Sequence, residues 1–169
     1  MLPLPAIALT ASDYPRLEQT ARVAAQKGDT DAMFLLAEID RAEIIPDNAR
    51  DADRIVRIGS WVTYLTDWGA PRRTVQLVWP EDRTSDLAQV SVLSGLGAAM
   101  LGLRTGDQMP YYVAGRMKVV RIETVDRAEP KVDPLAPLLR GPAFANAPRL
   151  RRGPAFANDD DDDPGPTAA

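Results

Sequence analysis

"VSVLSGLGAAMLGLRTGD", residues 90–107, joins two kinds of chain without a spacer. "AQVSVL" (88–93) alternates like a strand. Ser94 can cap a helix, and "SGLGAAMLGL" (94–103) is small and apolar until Gly102 ends it. "RTGD" (104–107) is turn chemistry. A strand that passes directly into a short buried helix points to an α+β domain. "GLGAAM" (95–100) begins like a dinucleotide-binding glycine loop, but the third glycine is missing and no βαβ unit surrounds it. Its small residues are read instead as letting the helix lie close to a sheet.

The flanks supply the rest of that sheet. "RIVRIGSWVTYLT" (54–66) has period two, with Ile58, Ser60, Val62 and Tyr64 on one side. "DWGAP" (67–71) is a turn, and "RRTVQLVW" (72–79) alternates again. Downstream, "QMPYYVA" (108–114), Gly115 and "RMKVVRIETV" (116–125) read as a closing hairpin. Five short strands and one buried helix result.

Upstream the period is helical. Thr10 or Ser12 can cap, and Asp13 and Pro15 suit a first turn. Tyr14, Leu17, Ala21 and Ala24 share one face, and Gly28 ends the helix. Asp29 or Thr30 caps a second helix, whose stripe is Ala32, Leu35, Leu36, Ile39 and Ala42 and which Pro46 stops. Two helices with so short a loop pack antiparallel. The organisation read from the sequence is a helical hairpin over 11–46, a polar linker over 47–54, a sheet domain over 55–127 and a tail over 128–169. Eight of the chain's 15 prolines fall in 130–166, "RGPAFAN" occurs at 140–146 and again at 152–158, and five aspartates follow at 159–163. Such a tail is expected to be disordered.

Composition removes several chemistries. With no cysteine and no histidine there are no disulfides, no ordinary zinc site and no His-based triad. A net charge of −4 argues against a general nucleic-acid binder. Nothing resembles a signal peptide or a membrane span, so a soluble, cytoplasmic, monomeric protein without cofactor or metal is expected.

"LGAAMLGLRTGD" (96–107), "LLAEIDRAEIIP" (35–46) and "VRIGSWVTY" (56–64) occur in the order found in the regulator of nucleoside diphosphate kinase family, Rnk. That family resembles the Gre transcription factors in its C-terminal domain. The resemblance implies an FKBP-like antiparallel sheet with one helix after the hairpin. It also implies binding to RNA polymerase near the secondary channel, with DNA met only through polymerase. In the Gre factors the strand-to-helix junction that touches polymerase reads Asp-Ser-Pro. Here the matching candidates are Leu93, Ser94 and Gly95. A proline at 95 would suit the first position of a helix. The Gre cleavage factors carry acids at the hairpin tip, and the candidates here are Asp29 and Asp31. Two carboxylates can hold Mg²⁺. However, helices of about 15 residues at roughly 1.5 Å each reach only roughly 20 Å. A turn with helix-capping acids is the plainer reading. The expected function is a noncatalytic regulator of polymerase. Transcript-cleavage stimulation is the alternative, and an FKBP-like prolyl isomerase a remoter one.

Overall fold

The computed structural model describes residues 4–67, 71–85 and 87–130. Of the tail expected to be disordered over 128–169, residues 131–169 lie outside the described residues.

The two helices form as the capping residues direct. α1 (Tyr14–Gln26) has Pro15 in its first turn and buries Leu17 and Ala21. Gly28, at φ 87, provides the left-handed turn that reverses the chain. α2 (Thr30–Asp40) is capped by Asp29, whose side chain accepts from the backbone N–H groups of Asp31 and Ala32. Its buried face is Ala32, Leu35 and Ile39, with Glu38 buried beside them and paired to Arg41. Arg41 also donates to the Pro5 carbonyl at 2.6 Å.

Two short strands not foreseen in the sequence bracket this hairpin. β1 (Ala8–Thr10) and β2 (Glu43–Ile45) pair in parallel, Ala8 with Glu43 and Thr10 with Ile45. Three residues are too few to show a period. The strands are held from outside: the Ala8 N–H donates to the Gly102 carbonyl at 3.1 Å.

The main sheet has the order β5-β4-β3-β7-β6, built from β3 (Trp61–Thr66), β4 (Arg73–Val78), β5 (Gln89–Ser91), β6 (Gln108–Val113) and β7 (Arg116–Asp126). The expected FKBP-like antiparallel sheet is corrected here to a mixed sheet. β3, β4, β6 and β7 pair antiparallel, but β5 runs parallel to β4 with Gln76 opposite Gln89 and Val78 opposite Ser91. The physical cause is the connection. A 3₁₀ turn at Pro80–Asp82 replaces a tight hairpin, and the connection brings Gln89 back beside Gln76, midway along β4. The α+β class itself stands. The first strand is also shorter than its period suggested. Gly59, at φ 85, turns the chain, and Ser60 Oγ accepts from the Arg57 N–H at 3.0 Å. Residues 55 and 56 are thereby diverted to pair with Arg104 and Leu103.

α3 (Gly95–Met100) packs over the sheet and α2 packs over α3. A single core joins both parts, containing Leu17, Leu35 and Ile39 from the hairpin with Val62, Leu77, Met100 and Ile122 from the domain. Polar clamps reinforce it. Arg57 Nε donates to Asp13 Oδ2 at 3.0 Å, and its guanidinium lies 3.7 Å from Asp47. The Ser12 hydroxyl holds Asp47 below the usual carboxylate range. Arg16 lies 4.0 Å above the Trp79 ring while pairing with Glu81. Among the described residues, no helix is long and apolar enough to cross a membrane.

Candidate functional site

The junction before α3 is built by hydroxyls. Ser94 caps the helix by accepting from the Gly97 N–H at 3.1 Å, and its own hydroxyl donates to the Ser91 carbonyl at 2.7 Å. Both bonds need a short side chain at 94. The next N–H, that of Gly95, is taken from outside the domain: it donates to Asp31 Oδ2 at 2.9 Å. The hairpin tip is therefore laid against the strand-to-helix junction. The two candidate sites, Asp29/Asp31 and Leu93-Ser94-Gly95, form one locality joined by this bond.

The acids at the tip have different tasks. Asp29 Oδ1 accepts from the Asp31 N–H at 2.9 Å and the Ala32 N–H at 3.1 Å, which is an N-cap. Asp31 reaches across to α3. Among the described residues, no group of three or more Asp, Glu, His or Cys side chains is placed to hold a metal. Gly95 also admits the tip sterically. A Cβ there would stand 3.0 Å from the Tyr112 carbonyl and 3.3 Å from Asp31 Oδ1. A proline at 95 would delete the N–H that Asp31 uses, so its expected suitability is corrected by this bond.

A groove of about 920 Å³ opens between the tip, the junction and the sheet, lined by Asp31, Tyr64, Asp67, Arg73, Tyr111 and Lys118 among others. Two residues on its wall hold left-handed backbone, Asp67 at φ 57 and Ala114 at φ 49. The latter, with Gly115 at φ 74, makes the two-residue turn between β6 and β7. Lys118 Nζ stands 3.7 Å from Asp67. Burial pushes the Tyr64 phenol up, opposed by the nearby Arg73 guanidinium. Burial, with Tyr64 and Asp67 close by, pushes Tyr111 from its ordinary 10.0 to about 12.

The shift has a testable consequence. Below pH 10 the phenol is neutral in both folded and unfolded chains. Above it, the unfolded chain ionises first, so stability falls as pH rises from about 10 to about 12. Urea midpoints should drop between pH 9 and pH 11, and Tyr111→Phe should lessen the drop. Equal slopes for the two proteins would show that Tyr111 is not the responsible group.

Several of these contributors had no local signal. Arg57 as a hub, the Arg16–Trp79 stack and the facing tyrosines depend on approaches between distant segments. Tyr64 was legible only as one position of a period-two strand, and Tyr111 only as part of the closing hairpin over 108–114.

Comparison with known proteins matches this geometry at two levels. Residues 5–45 match the family described as Rnk N-terminus, and residues 51–127 match the family described as transcription elongation factor, GreA/GreB, C-term. The chain is 32% identical over 123 residues to the regulator of nucleoside diphosphate kinase of Escherichia coli K12, covering 70% of this chain and 90% of that protein. The figures are the same for the Shigella flexneri protein. Among solved structures, the prokaryotic transcription elongation factor GreA/GreB from Nitrosomonas europaea superposes with a TM-score of 0.56 at 28% identity, over 71% of this chain and 98% of that one. The likeness is to a Gre-type fold, which replaces the FKBP-like assignment. A Rnk-type N-terminal segment that continues into a GreA/GreB C-terminal domain, matched across nine-tenths of a curated relative, places this chain in the regulator of nucleoside diphosphate kinase family, a family related to transcription elongation factors.

Proposed function

We propose that this protein is a noncatalytic transcription regulator that binds RNA polymerase near its secondary channel and competes there with Gre-type factors. The observation that carries the reading is the likeness to the Nitrosomonas europaea elongation factor over 98% of that chain. The strand-to-helix junction at Leu93, Ser94 and Gly95 is the proposed docking edge. Its backbone is fixed by the Ser94 bonds, which suits a surface that must not reorganise on binding.

The test is competition. Labelled Gre factor bound to core RNA polymerase should be displaced by this protein at micromolar concentration. No displacement at high micromolar protein would overturn the proposal. Transcript-cleavage stimulation is the second reading, prompted by the acids at the tip. Both acids already accept backbone N–H groups, Asp29 within the hairpin and Asp31 from Gly95. Backtracked complexes incubated with the protein should release no short 3′ RNA, and Asp29→Ala with Asp31→Ala should change nothing in that assay. Rapid fragment release by the wild type, lost in the double variant, would favour the cleavage reading.

A further inference from the structure

We infer that the groove beside the α3 junction is a binding site for a small organic carboxylate, held by Arg73, Tyr64 and Tyr111 and seated by its apolar body against Leu96 and Val113.

The floor of the groove is rich in donors. Tyr64 and Tyr111 are each only 4% exposed, yet both line the groove. Among the described residues, no group accepts from the Tyr111 hydroxyl, and no buried side-chain oxygen is left without a partner. The hydroxyl is therefore the part of Tyr111 that the groove reaches. A tyrosine packed so deeply normally has its O–H satisfied, so this one points to an acceptor brought by a ligand. Burial keeps both phenols protonated at neutral pH, and each then offers a proton.

Arg73 supplies the charge. It stands opposite Tyr64 in the β3–β4 register, and its guanidinium lies beside the Tyr64 phenol. Among the described residues, no carboxylate pairs with it. Its neighbour Arg72, by contrast, is taken by Glu123. A guanidinium with an open fork matches the two oxygens of a carboxylate.

The other walls set the ligand's charge and shape. Two acids line the same groove. Asp67 has Lys118 at 3.7 Å, and Asp31 accepts the Gly95 N–H at 2.9 Å. The Asp67–Lys118 pair is neutral as a whole, which leaves one unpaired cation on the sheet and one acid on the helix side. A single negative charge on the ligand fits this balance. A doubly charged phosphate would be repelled by both acids. Leu96 and Val113 offer apolar surface for the rest of the molecule, and a volume of about 920 Å³ suits a small ligand.

The test titrates the full chain at constant ionic strength with benzoate, hexanoate, benzamide and inorganic phosphate. Backbone amide signals of isotope-labelled protein report where each binds. The two carboxylates should shift groove amides such as Gly95 and Gly115 saturably, and bind about tenfold more tightly than benzamide or phosphate. Arg73→Gln should weaken carboxylate binding about tenfold and Tyr111→Phe about fivefold, with benzamide unaffected by the Arg73 change. Arg121→Gln is the control: it removes an equal charge from the face of β7 opposite the buried Val120 and Ile122, and should bind like wild type. Thermal melting verifies that each variant is folded. The assignment is overturned if neither carboxylate shifts the groove amides, if benzamide or phosphate binds as tightly as benzoate, or if Arg73→Gln and Tyr111→Phe both bind like Arg121→Gln.

Discussion

Gly97→Ala should strongly destabilise the fold. A Cβ on Gly97 would stand 2.0 Å from the Ser91 carbonyl oxygen and 2.8 Å from its carbon. Both are backbone atoms next to the junction, so no rotamer change relieves the clash. Either α3 lifts from β5, opening the apolar layer around Ala98, Ala99 and Met100, or β5 leaves β4. We expect a loss of about 3 kcal/mol or more, at the upper end for overpacked sites. In a protein of this size the melting temperature should fall by roughly 10 °C. Gly106→Ala is the informative comparison. Its φ is +93 but nothing lies within 4 Å, so it bears conformational strain alone. A Gly97→Ala protein that melts no lower than Gly106→Ala would mean that α3 does not lie so close to β5.

Leu35→Ala should cost about 2–5 kcal/mol, the range for a buried leucine whose cavity collapses only in part. Leu35 is fully buried on α2, in the cluster that also holds Val62, Met100 and Ile122 of the domain. Because that cluster spans both parts, the variant should still unfold in one step. Far-UV circular dichroism, which follows the helices, and tryptophan fluorescence, which includes Trp79 beneath Arg16, should report one midpoint. Helix loss at a temperature where the fluorescence stays native would show the hairpin to be a separable module.

These two sites illustrate what could be read in advance. Leu35 was legible as a core residue, since Ala32, Leu35 and Ile39 follow a helical stripe and all three are buried. The small residues of α3 were legible as a packing device, and Gly97 against Ser91 is its extreme case. The partnership of Asp31 with Gly95 was not legible. The two are 64 residues apart, and nothing in "KGDTD" distinguishes a free tip from one laid against a helix. The parallel placement of β5 was hidden for a similar reason. Strand periodicity reports which face a residue takes but not the direction of its neighbour, and the 3₁₀ turn at Pro80–Asp82 that sets the direction looked like any polar connection. β1 and β2 were too short to show any period.

The bond from Ala8 to the Gly102 carbonyl bears on how the chain becomes a protein during synthesis. β1 leaves the ribosome well before Gly102, yet the Ala8 N–H is satisfied only when Gly102 has been made. Gly102 is itself bound to this partner: at φ +74, its Cβ position lies 2.8 Å from the Ala8 carbonyl, so no side chain fits. Until then the nascent hairpin has an apolar face and an unpaired strand edge but no sheet to cover them. A segment translated well before Gly102 is therefore secured only after Gly102 has been made. The long-range closure this requires should make folding slower than the local helices alone would suggest.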